Sequence, residues 1–417
     1  MKIKFLGGVS EVGRLGMLLE TGKKNLLFDY GISPTRPPQY PLPTPRVDLA
    51  FLSHAHVDHS GMMPWMSSRY QPPILATKAT AAISGLLTRD SLKVARSEGY
   101  VEHYSRQDIS IMEQSFDLVG FDDTRQEAGF DISFHSAGHI PGATMFHLQE
   151  HTKARTGTGT DLLFTGDINT IDTRLVRGGD PVQCDTLVME STYSGRDHPD
   201  RRDMEKRFLD SVDEVVSRGG TVVIPAFAVG RSQEIMHLLK DTPYDIWFDG
   251  MGKEVTRQYL EHPEFLNDPA SLKEAFHRVN IVNSYYGRKQ ALRGDIIITT
   301  SGMLDGGPVL FYLDYLSKNP NCGLFLTGYQ VKGTNGHLLL ESGRIDIKGV
   351  QEKVDMDVRF FDFSAHAGHL QLREFANKCN PQQIILFHSD QREILAADLR
   401  EDGFIVNLPD TEDTIEV

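Results

Sequence analysis

A dense group of potential metal ligands lies in the first part of this 417-residue chain. His54, His56, Asp58 and His59 form the pattern H-x-H-x-D-H directly after the apolar run VDLAFLS. Imidazole and carboxylate groups are ligands that zinc and similar divalent metals prefer in proteins. A lone histidine is more often structural than a ligand, but a cluster of this density favours a metal site. It exceeds the three protein ligands of a typical one-zinc catalytic site, so we expect it to serve two metals.

Three further candidate ligands follow other apolar runs. His139 lies in SAGHIPGA, Asp167 follows DLLFT, and His388 follows IILF. Each is weak evidence alone, because an aspartate after a strand is more often a turn residue than a ligand. Together with the first cluster they provide enough ligands for two metals, and the carboxylate of Asp167 would be the natural bridge between them.

The surrounding sequence predicts the elements that position these groups. The chain opens with short apolar runs separated by glycine turns, which is typical of antiparallel strands. Val/Ile/Leu-rich runs then alternate with helical patterns such as RSQEIMHLLK, which indicates an α/β architecture. Polar residues recur just past the carboxyl ends of these runs, where sites in such sheets lie. Residues 191–354 have their own strands, helices and glycine turns, which predicts an inserted α/β unit, and RTGTGT (155–160) predicts a turn.

The composition narrows the class of protein. With 40% hydrophobic and 24% charged residues, the chain is not intrinsically disordered as its main state. No apolar run approaches the length of a membrane-spanning helix, and the N-terminus lacks a secretory signal. We therefore expect no membrane association and a cytoplasmic location. The three scattered cysteines (Cys184, Cys322 and Cys379) predict neither a disulfide framework nor a cysteine metal cage. The net charge of −14 still allows a local basic groove or a charge-neutralising metal centre.

The order of the motifs resembles a known family over essentially the whole chain. Asp29, HAHVDH, GHIPGA and GDIN resemble the metallo-β-lactamase fold. The later motifs are similar to those of its β-CASP branch of nucleic-acid nucleases: MESTY with Glu190, IPAFAVGRSQE, TTSGML, TGYQVKGT, FDFSAHA with His366, and FHSD with His388. The motif sequences are most similar to those of the nuclease subunit of the cleavage and polyadenylation specificity factor and its prokaryotic relatives.

The resemblance implies an α/β fold, namely a metallo-β-lactamase αββα sandwich with an inserted β-CASP domain. The implied boundaries are residues 1–190 for the first part of the hydrolase domain, 191–354 for the β-CASP domain and 355–417 for the C-terminal return. The sequence begins at the first predicted strand, so the KH domains that precede the hydrolase in some archaeal relatives are not expected.

The resemblance also implies a role for each ligand. His54, His56 and His139 would hold one Zn²⁺. Asp58, His59 and His388 would hold the second, with Asp167 shared, and Mn²⁺ is an alternative to Zn²⁺. Asp29 would support the ligand loop from behind. Glu190 would orient a ligand histidine or brace the ligand set.

The substrate implied by the resemblance is single-stranded RNA, because RNA-acting members have histidine where His388 stands and DNA-repair members typically have valine. The predicted function is therefore a zinc-dependent ribonuclease that hydrolyses phosphodiester bonds in RNA 3′-end processing or decay. Endonuclease and 5′-to-3′ exonuclease activities both remain open. His366 is the predicted general acid for the leaving 3′-oxygen, because an imidazole near pKa 6.5 donates a proton at neutral pH. Glu190 is the alternative proton relay, and a structural histidine at position 366 is the alternative role.

Several residues outside the ligand set are candidate RNA contacts. Ser301 lies in a glycine-rich turn, and Ser364 and Ala365 could direct backbone donors at a 5′-phosphate. Arg231 and Ser232 begin a predicted helix, whose N-terminus favours anions. Further candidates combine charge with stacking surface, although an ordinary solvated face is the alternative: Tyr285, Tyr286, Arg288, Lys289 and Arg293.

Four other functions explain fewer of these residues. A thioester or lactam hydrolase would not need residues 191–354, and an oxygen-reducing di-iron centre would prefer a carboxylate where His56 stands. A DNA nuclease of the same fold remains an alternative. A catalytically silent RNA-binding partner subunit should have lost ligands, whereas every predicted ligand is present. A homodimer and membership of an RNA-processing complex are implied by the resemblance alone.

Overall fold

The computed structural model of this chain describes residues 1–33, 35–151, 159–347 and 349–417. These residues form two compact units. The first unit comprises Met1–Asp172, Arg177–Asp197 and Ala365–Val417, and the second comprises Thr173–Val176 and His198–Ser364. The turn predicted at 155–160 lies mostly outside the described residues. Over the part of the chain that is described, no helix is long and apolar enough to cross a lipid bilayer.

The strands and helices are numbered here along the described residues. The strands are β1 (Lys2–Gly7), β2 (Gly16–Glu20), β3 (Asn25–Phe28), β4 (Leu49–Phe51), β5 (Ile74–Ala76), β6 (Phe116–Leu118), β7 (Thr124–Glu127), β8 (Phe130–Ser136), β9 (Thr144–Glu150), β10 (Asp161–Phe164), β11 (Thr186–Glu190), β12 (Val222–Pro225), β13 (Ile246–Asp249), β14 (Asn280–Ile281), β15 (Ile296–Thr299), β16 (Gly323–Leu326), β17 (Arg344–Ile347), β18 (Val350–Lys353), β19 (Asp357–Phe360), β20 (Gln383–Phe387), β21 (Ile405–Asn407) and β22 (Thr414–Glu416). The helices are α1 (Val57–Ser60), α2 (Met63–Tyr70), α3 (Lys78–Glu98), α4 (Arg106–Gln114), α5 (Arg201–Ser217), α6 (Arg231–Leu238), α7 (Gly252–Glu261), a 3₁₀ turn (Pro263–Phe265), α8 (Pro269–Arg278), α9 (Tyr285–Ala291), α10 (Val309–Leu316), α11 (Asn335–Ser342), α12 (His369–Cys379) and α13 (Arg392–Glu401).

The first unit is a sandwich of two seven-stranded sheets. One sheet has the order β22-β1-β2-β3-β4-β5-β6, and the other has the order β21-β20-β11-β10-β9-β8-β7. Aromatic side chains fill the space between them: the Phe28 ring centroid lies 4.4 Å from that of Phe51 and 5.1 Å from that of Phe164. Helices α2 and α4 cover the outer face of the first sheet through buried methionines such as Met66 and Met112. The antiparallel pairing predicted for the opening strands is confirmed.

The second unit is built on a six-stranded sheet with the order β14-β13-β15-β12-β16-β19, whose pairings are all parallel. The central strands β12 and β15 are near-continuous Val/Ile runs, as expected where helices cover a parallel sheet on both faces. Strand β19 lies in the segment 355–364, which the predicted boundaries assign to the C-terminal return. It pairs with β16 and so covers an otherwise open edge of the second unit's sheet.

The parallel pairings in the first unit bring the candidate ligands towards one edge. Strand β3 pairs with β4, and β10, β11 and β20 pair in sequence order along the other sheet. Parallel strands end on the same side of a sheet, where sites in α/β proteins lie. Five candidate residues end or closely follow these strands: Asp29, His54, Asp167, Glu190 and His388.

Candidate metal centre

The loop that follows β4 carries four of the candidate ligands. It continues into the single-turn helix α1, and the segment after β3 holds it by backbone hydrogen bonds. Tyr30 N donates to His59 O at 2.7 Å, and Ile32 N donates to Val57 O at 2.8 Å. A Cβ atom on Gly31 would lie 1.7 Å from the carbonyl oxygen of Asp58. Only glycine therefore allows the two segments to approach this closely.

The Asp29 carboxylate is fully buried and fixes the orientation of the ligand loop. Its Oδ1 accepts from Ser53 N at 2.7 Å, and its Oδ2 accepts from Ser53 Oγ and from His59 Nδ1, both at 2.7 Å. Ser53 Oγ lies 3.1 Å from His54 Nδ1, so it accepts the Nδ1 proton. Because Nδ1 of each imidazole is held in this way, Nε2 is the ring nitrogen that is directed towards a metal ion.

One group of candidate ligands consists of His54, His56, His139 and Asp167, whose potential ligand atoms all lie within 4.8 Å of one another. His56 Nδ1 is 3.0 Å from His54 Nε2 and 3.1 Å from His139 Nε2. His139 Nδ1 donates to Ala365 O at 2.7 Å, which again leaves Nε2 directed at the group. Burial lowers the pKa of His54 and of His139 well below the usual value, so both rings are neutral.

The second group consists of Asp58, His59 and His388, with ligand atoms again within 4.8 Å of one another. His388 has a positive φ of 65°, and its Nε2 lies 3.6 Å from Asp58 Oδ2. Gly13 N also donates to this Nε2 at 3.1 Å.

Asp167 lies between the two groups. Its Oδ2 is 3.5 Å from His54 Nε2 and 3.3 Å from His59 Nε2, and its Oδ1 is 3.5 Å from His388 Nδ1. Burial raises the pKa of Asp167, but the charges of His59, His388 and His366 outweigh it and hold the pKa well below the usual range. The carboxylate is therefore ionised and can face cations on both sides.

Among the described residues, Asp167 Oδ1 is a buried atom of this centre without a hydrogen-bond partner. Leaving such an atom unpaired inside a protein costs about 1–3 kcal/mol. Burial lowers the pKa of His59, but Asp167 and Asp29 outweigh it and raise the pKa well above the usual value. The centre therefore favours positive charge between its carboxylates, and its oxygen and nitrogen donors fit divalent cations.

Glu190 and His366 form a third group with Asp167. Glu190 is fully buried and accepts from Ile168 N at 2.8 Å and from His366 Nδ1 at 2.9 Å. His366 Nε2 then points towards Asp167 Oδ2, 4.0 Å away. Burial lowers the pKa of His366, but Glu190 and Asp167 outweigh it and raise the pKa to about 9. His366 is therefore protonated at neutral pH.

The predicted substrate residues lie in both units. Ser364 N donates to Asp362 Oδ1 at 3.2 Å in the second unit, and Ala365 in the first unit uses its carbonyl to hold His139. Arg231 and Ser232 begin α6 as predicted, but Ser232 is fully buried and its hydroxyl donates to Ala228 O at 3.1 Å. Ser301 is half-buried in the turn after β15.

Sequence reasoning missed two side chains that hold the centre together. Ser53 precedes the H-x-H-x-D-H motif and links Asp29 to His54. Thr192 follows Glu190 by two residues, and its Oγ1 lies 3.2 Å from His388 Nδ1. Hydroxyl residues directly beside ligand motifs are the only signal in the sequence that could have identified them.

Three family models match successive parts of the chain. The metallo-β-lactamase superfamily matches residues 12–206, the Beta-Casp domain residues 232–339, and the Zn-dependent metallo-hydrolase RNA specificity domain residues 351–409. The chain therefore belongs to the metallo-β-lactamase superfamily and to its β-CASP branch of metal-dependent nucleases. This confirms the family and the fold class predicted from the motifs.

Within this branch, the chain is similar to archaeal proteins along its whole length. It is 36% identical to the probable RNase MJ4 of Methanocaldococcus jannaschii, with 100% of both chains covered. It is 34% identical to the RNase aCSPSF2 of Saccharolobus solfataricus, with 100% of this chain and 85% of the relative covered. It is 31% identical to the transcription termination factor FttA of Pyrococcus abyssi, over 100% of this chain and 71% of that protein.

Among solved structures, a protein of unknown function from Enterococcus faecalis V583 matches with a TM-score of 0.62 and 13% identity. The match covers 100% of this chain and 99% of the other chain. At this identity it supports the fold alone.

Proposed function

We propose that this chain is a zinc-dependent ribonuclease that hydrolyses phosphodiester bonds of single-stranded RNA. The observation that carries the proposal is the convergence of imidazole and carboxylate ligand atoms around the ionised Asp167. The match to an RNA specificity domain and the relatives named as RNases support RNA as the substrate class. RNA 3′-end processing or decay is the proposed setting.

Two Zn²⁺ ions are the proposed cofactors, with Mn²⁺ as the alternative metal. His54, His56 and His139 would hold one ion, and Asp58, His59 and His388 the other, with Asp167 shared between them. The chemistry supplied by bound zinc would be Lewis-acid stabilisation of the phosphodiester charge and activation of an attacking water. Asp29 and Ser53 would maintain the ligand tautomers.

The protein's own part in bond cleavage centres on His366. Glu190 accepts the Nδ1–H of this ring, and Nε2 faces Asp167 Oδ2 at 4.0 Å, on the side of the candidate ligands. We propose that His366 delivers its Nε2 proton to the leaving 3′-oxygen, which prevents the build-up of alkoxide charge. Glu190 stabilises the protonated ring, so that after the transfer the neutral ring would take up a new proton at Nε2 from water.

RNA contacts are proposed for Arg231, Ser301, Ser364 and Ala365, whose backbone or charged groups lie at turns and at a helix start. Ser232 would act indirectly, because its buried hydroxyl supports the turn before α6. A homodimer, an RNA-processing complex and a cytoplasmic location remain proposals from the sequence. DNA as the substrate, or a silent RNA-binding subunit, would be revealed by the following assay.

The assay follows internally labelled single-stranded RNA that carries either a 5′-monophosphate or a 5′-hydroxyl. Internal fragments from both substrates would establish an endonuclease, and mononucleotides from the monophosphate alone a 5′-to-3′ exonuclease. The double variant Asp167→Ala, His388→Ala should abolish cleavage with zinc or manganese. His135→Ala is the matched control, because this histidine lies on β8 and contacts Ser133 rather than the centre. Cleavage that persists in the double variant would refute the assigned site, and cleavage of DNA alone would change the substrate.

A further inference from the structure

An exposed group of aromatic side chains lies on the second unit. Tyr285, Tyr286 and Tyr315 are 59%, 70% and 49% exposed. Within the described ranges they are three of the four large aromatic side chains that are exposed, the fourth being Tyr329. Clustered exposed apolar groups mark interaction surfaces, whereas single ones need no explanation.

Helices α9 and α10 bring the rings into one surface. The ring centroid of Tyr285 lies 5.5 Å from that of Phe311, which in turn lies 5.0 Å from that of Tyr315. The half-buried Phe311 therefore joins the two tyrosines, and Tyr286 follows Tyr285 on α9 as the most exposed of the three tyrosine rings. We call these four side chains the aromatic platform: Tyr285, Tyr286, Phe311 and Tyr315.

A buried carboxylate fixes the two helices relative to each other. Asp249, at the carboxyl end of β13, is 2% exposed. Its Oδ2 accepts from Arg288 Nε on α9 at 2.7 Å and from the Tyr312 hydroxyl on α10 at 2.9 Å. Arg288 therefore supports the platform from below, a role that the sequence did not indicate. A rigid platform loses little conformational entropy when a ligand binds.

Two exposed cations lie on α9 and just after it, although the chain as a whole carries a net charge of −14. Residues 280–294 contain Arg288, Lys289 and Arg293 but neither Asp nor Glu, and because Asp249 pairs with Arg288, the exposed cations are Lys289 and Arg293. Lys289 Nζ lies 5.1 Å from the Tyr285 ring centroid, and the nearest acidic neighbour on α10 is the exposed Asp314. Stacking rings with adjacent cations are the combination that binds unpaired bases and their phosphates.

We propose that the aromatic platform binds single-stranded RNA by stacking on its bases, with Lys289 contacting the phosphate backbone. The inference rests on the proposed ribonuclease function and extends it to a second binding surface beyond the metal centre. Stacking is tolerant of base identity because every base has a π-face, so the platform recognises unpaired strands rather than a sequence.

The test measures binding of a short fluorescent single-stranded RNA by anisotropy, with the full chain in an Asp167→Ala background so that the RNA stays intact. Replacing a tyrosine that stacks on a base by alanine is expected to weaken binding about 5- to 150-fold. The triple variant Tyr285→Phe, Tyr286→Phe, Tyr315→Phe keeps the rings and should restore affinity to within about twofold of the parent. Leu340→Ala, at a 45% exposed apolar position on α11, is the matched surface control.

A second RNA of the same length with abasic sites separates stacking from charge. It should bind the parent and the triple variant Tyr285→Ala, Tyr286→Ala, Tyr315→Ala equally, because it has phosphates but no bases to stack. If the alanine substitutions weakened binding of both RNAs equally, the proposal would be overturned. It would also be overturned if the variant bound RNA like the parent but lost self-association in sedimentation, because the rings would then form a protein contact. The readout does not require cleavage. Wild-type protein that binds but does not cleave would count against the proposed hydrolysis alone.

Discussion

The substitution Asp29→Asn tests whether this residue sets the tautomers of the ligand histidines. The carboxylate accepts three hydrogen bonds, from Ser53 N, Ser53 Oγ and His59 Nδ1. An asparagine supplies one oxygen and one NH₂ group in their place. If the NH₂ group replaces Oδ2, His59 must present a lone pair at Nδ1, and its proton moves to Nε2. If it replaces Oδ1, it faces Ser53 N, and two donors meet in a buried site.

Either arrangement weakens metal binding at the second ligand group. A buried donor left unpaired costs about 1–3 kcal/mol. Loss of a residue that orients a ligand typically costs about 10- to 100-fold in metal affinity, which corresponds to roughly 1.4–2.7 kcal/mol. The two figures agree, so we expect a 10- to 100-fold loss of zinc affinity and a comparable loss of RNA cleavage.

Zinc affinity is measured by competition with a chromogenic chelator, and circular dichroism verifies that the variant is folded. Asp161→Asn is the matched control, because Asp161 accepts a 2.7 Å hydrogen bond from His147 Nε2 at the far end of β10 from Asp167. This control should leave zinc affinity within about twofold of the wild type. A folded Asp29→Asn protein with wild-type affinity and activity would refute the argument that the carboxylate sets the tautomers.

Three more predictions follow from the same centre. Glu190→Gln removes the negative charge that keeps His366 protonated. In steady-state RNA cleavage, kcat should therefore fall about 10²- to 10⁴-fold with little change in KM. A rise in KM of the same size, with kcat unchanged, would contradict this role for Glu190. Gly31→Ala places a Cβ atom 1.7 Å from Asp58 O, so urea unfolding should show a loss of about 1–3 kcal/mol together with lower zinc content. Gly120→Ala, with its nearest contact at 3.9 Å, is the control that should change little. Removal of metal by a chelator should abolish cleavage. Relative to protein in free zinc at a thousand times its Kd, the metal-free protein should be less stable by about 4 kcal/mol. Thermal unfolding with and without zinc measures this difference.

The convergence of the candidate ligands could be predicted from the sequence, because metal ligands are recognisable by residue type and by their position at strand ends. HAHVDH, GHIPGA and FHSD lie where the structure brings ligand atoms together. The supports were less accessible, because they act through space without a periodic pattern. The carbonyl oxygen of Ala365 accepts a hydrogen bond from His139 Nδ1, although the two residues are 226 positions apart in the sequence. No pattern in either segment predicts this contact.

Other differences arise where tertiary pairing decides the outcome. Strand β19 contains both apolar and polar residues, so its sequence does not show to which unit it belongs. Its pairing with the edge strand β16 places it in the second unit. The sequence predicts Arg288 as a charged RNA contact beside two tyrosines. In the structure, its guanidinium donates instead to the buried carboxylate of Asp249. Sequence patterns predict which faces are buried, whereas they do not predict which buried carboxylate a given arginine meets.

The discontinuity of the first unit has a consequence for the order in which the nascent chain folds on the ribosome. Strand β11 pairs with β20, and Ser191 Oγ donates to Phe387 O across 196 residues. The residues of the second unit between His198 and Ser364 are synthesised before β20, and the 3.1 Å contact of His198 Nδ1 with Asp362 Oδ2 joins the two ends of this segment. If this unit folds first, the loop to be closed shrinks to about 30 residues, which lowers the entropic cost by roughly 1.5 kcal/mol. His388 follows β20, so the last of the candidate ligands joins the others only after the whole second unit has been synthesised.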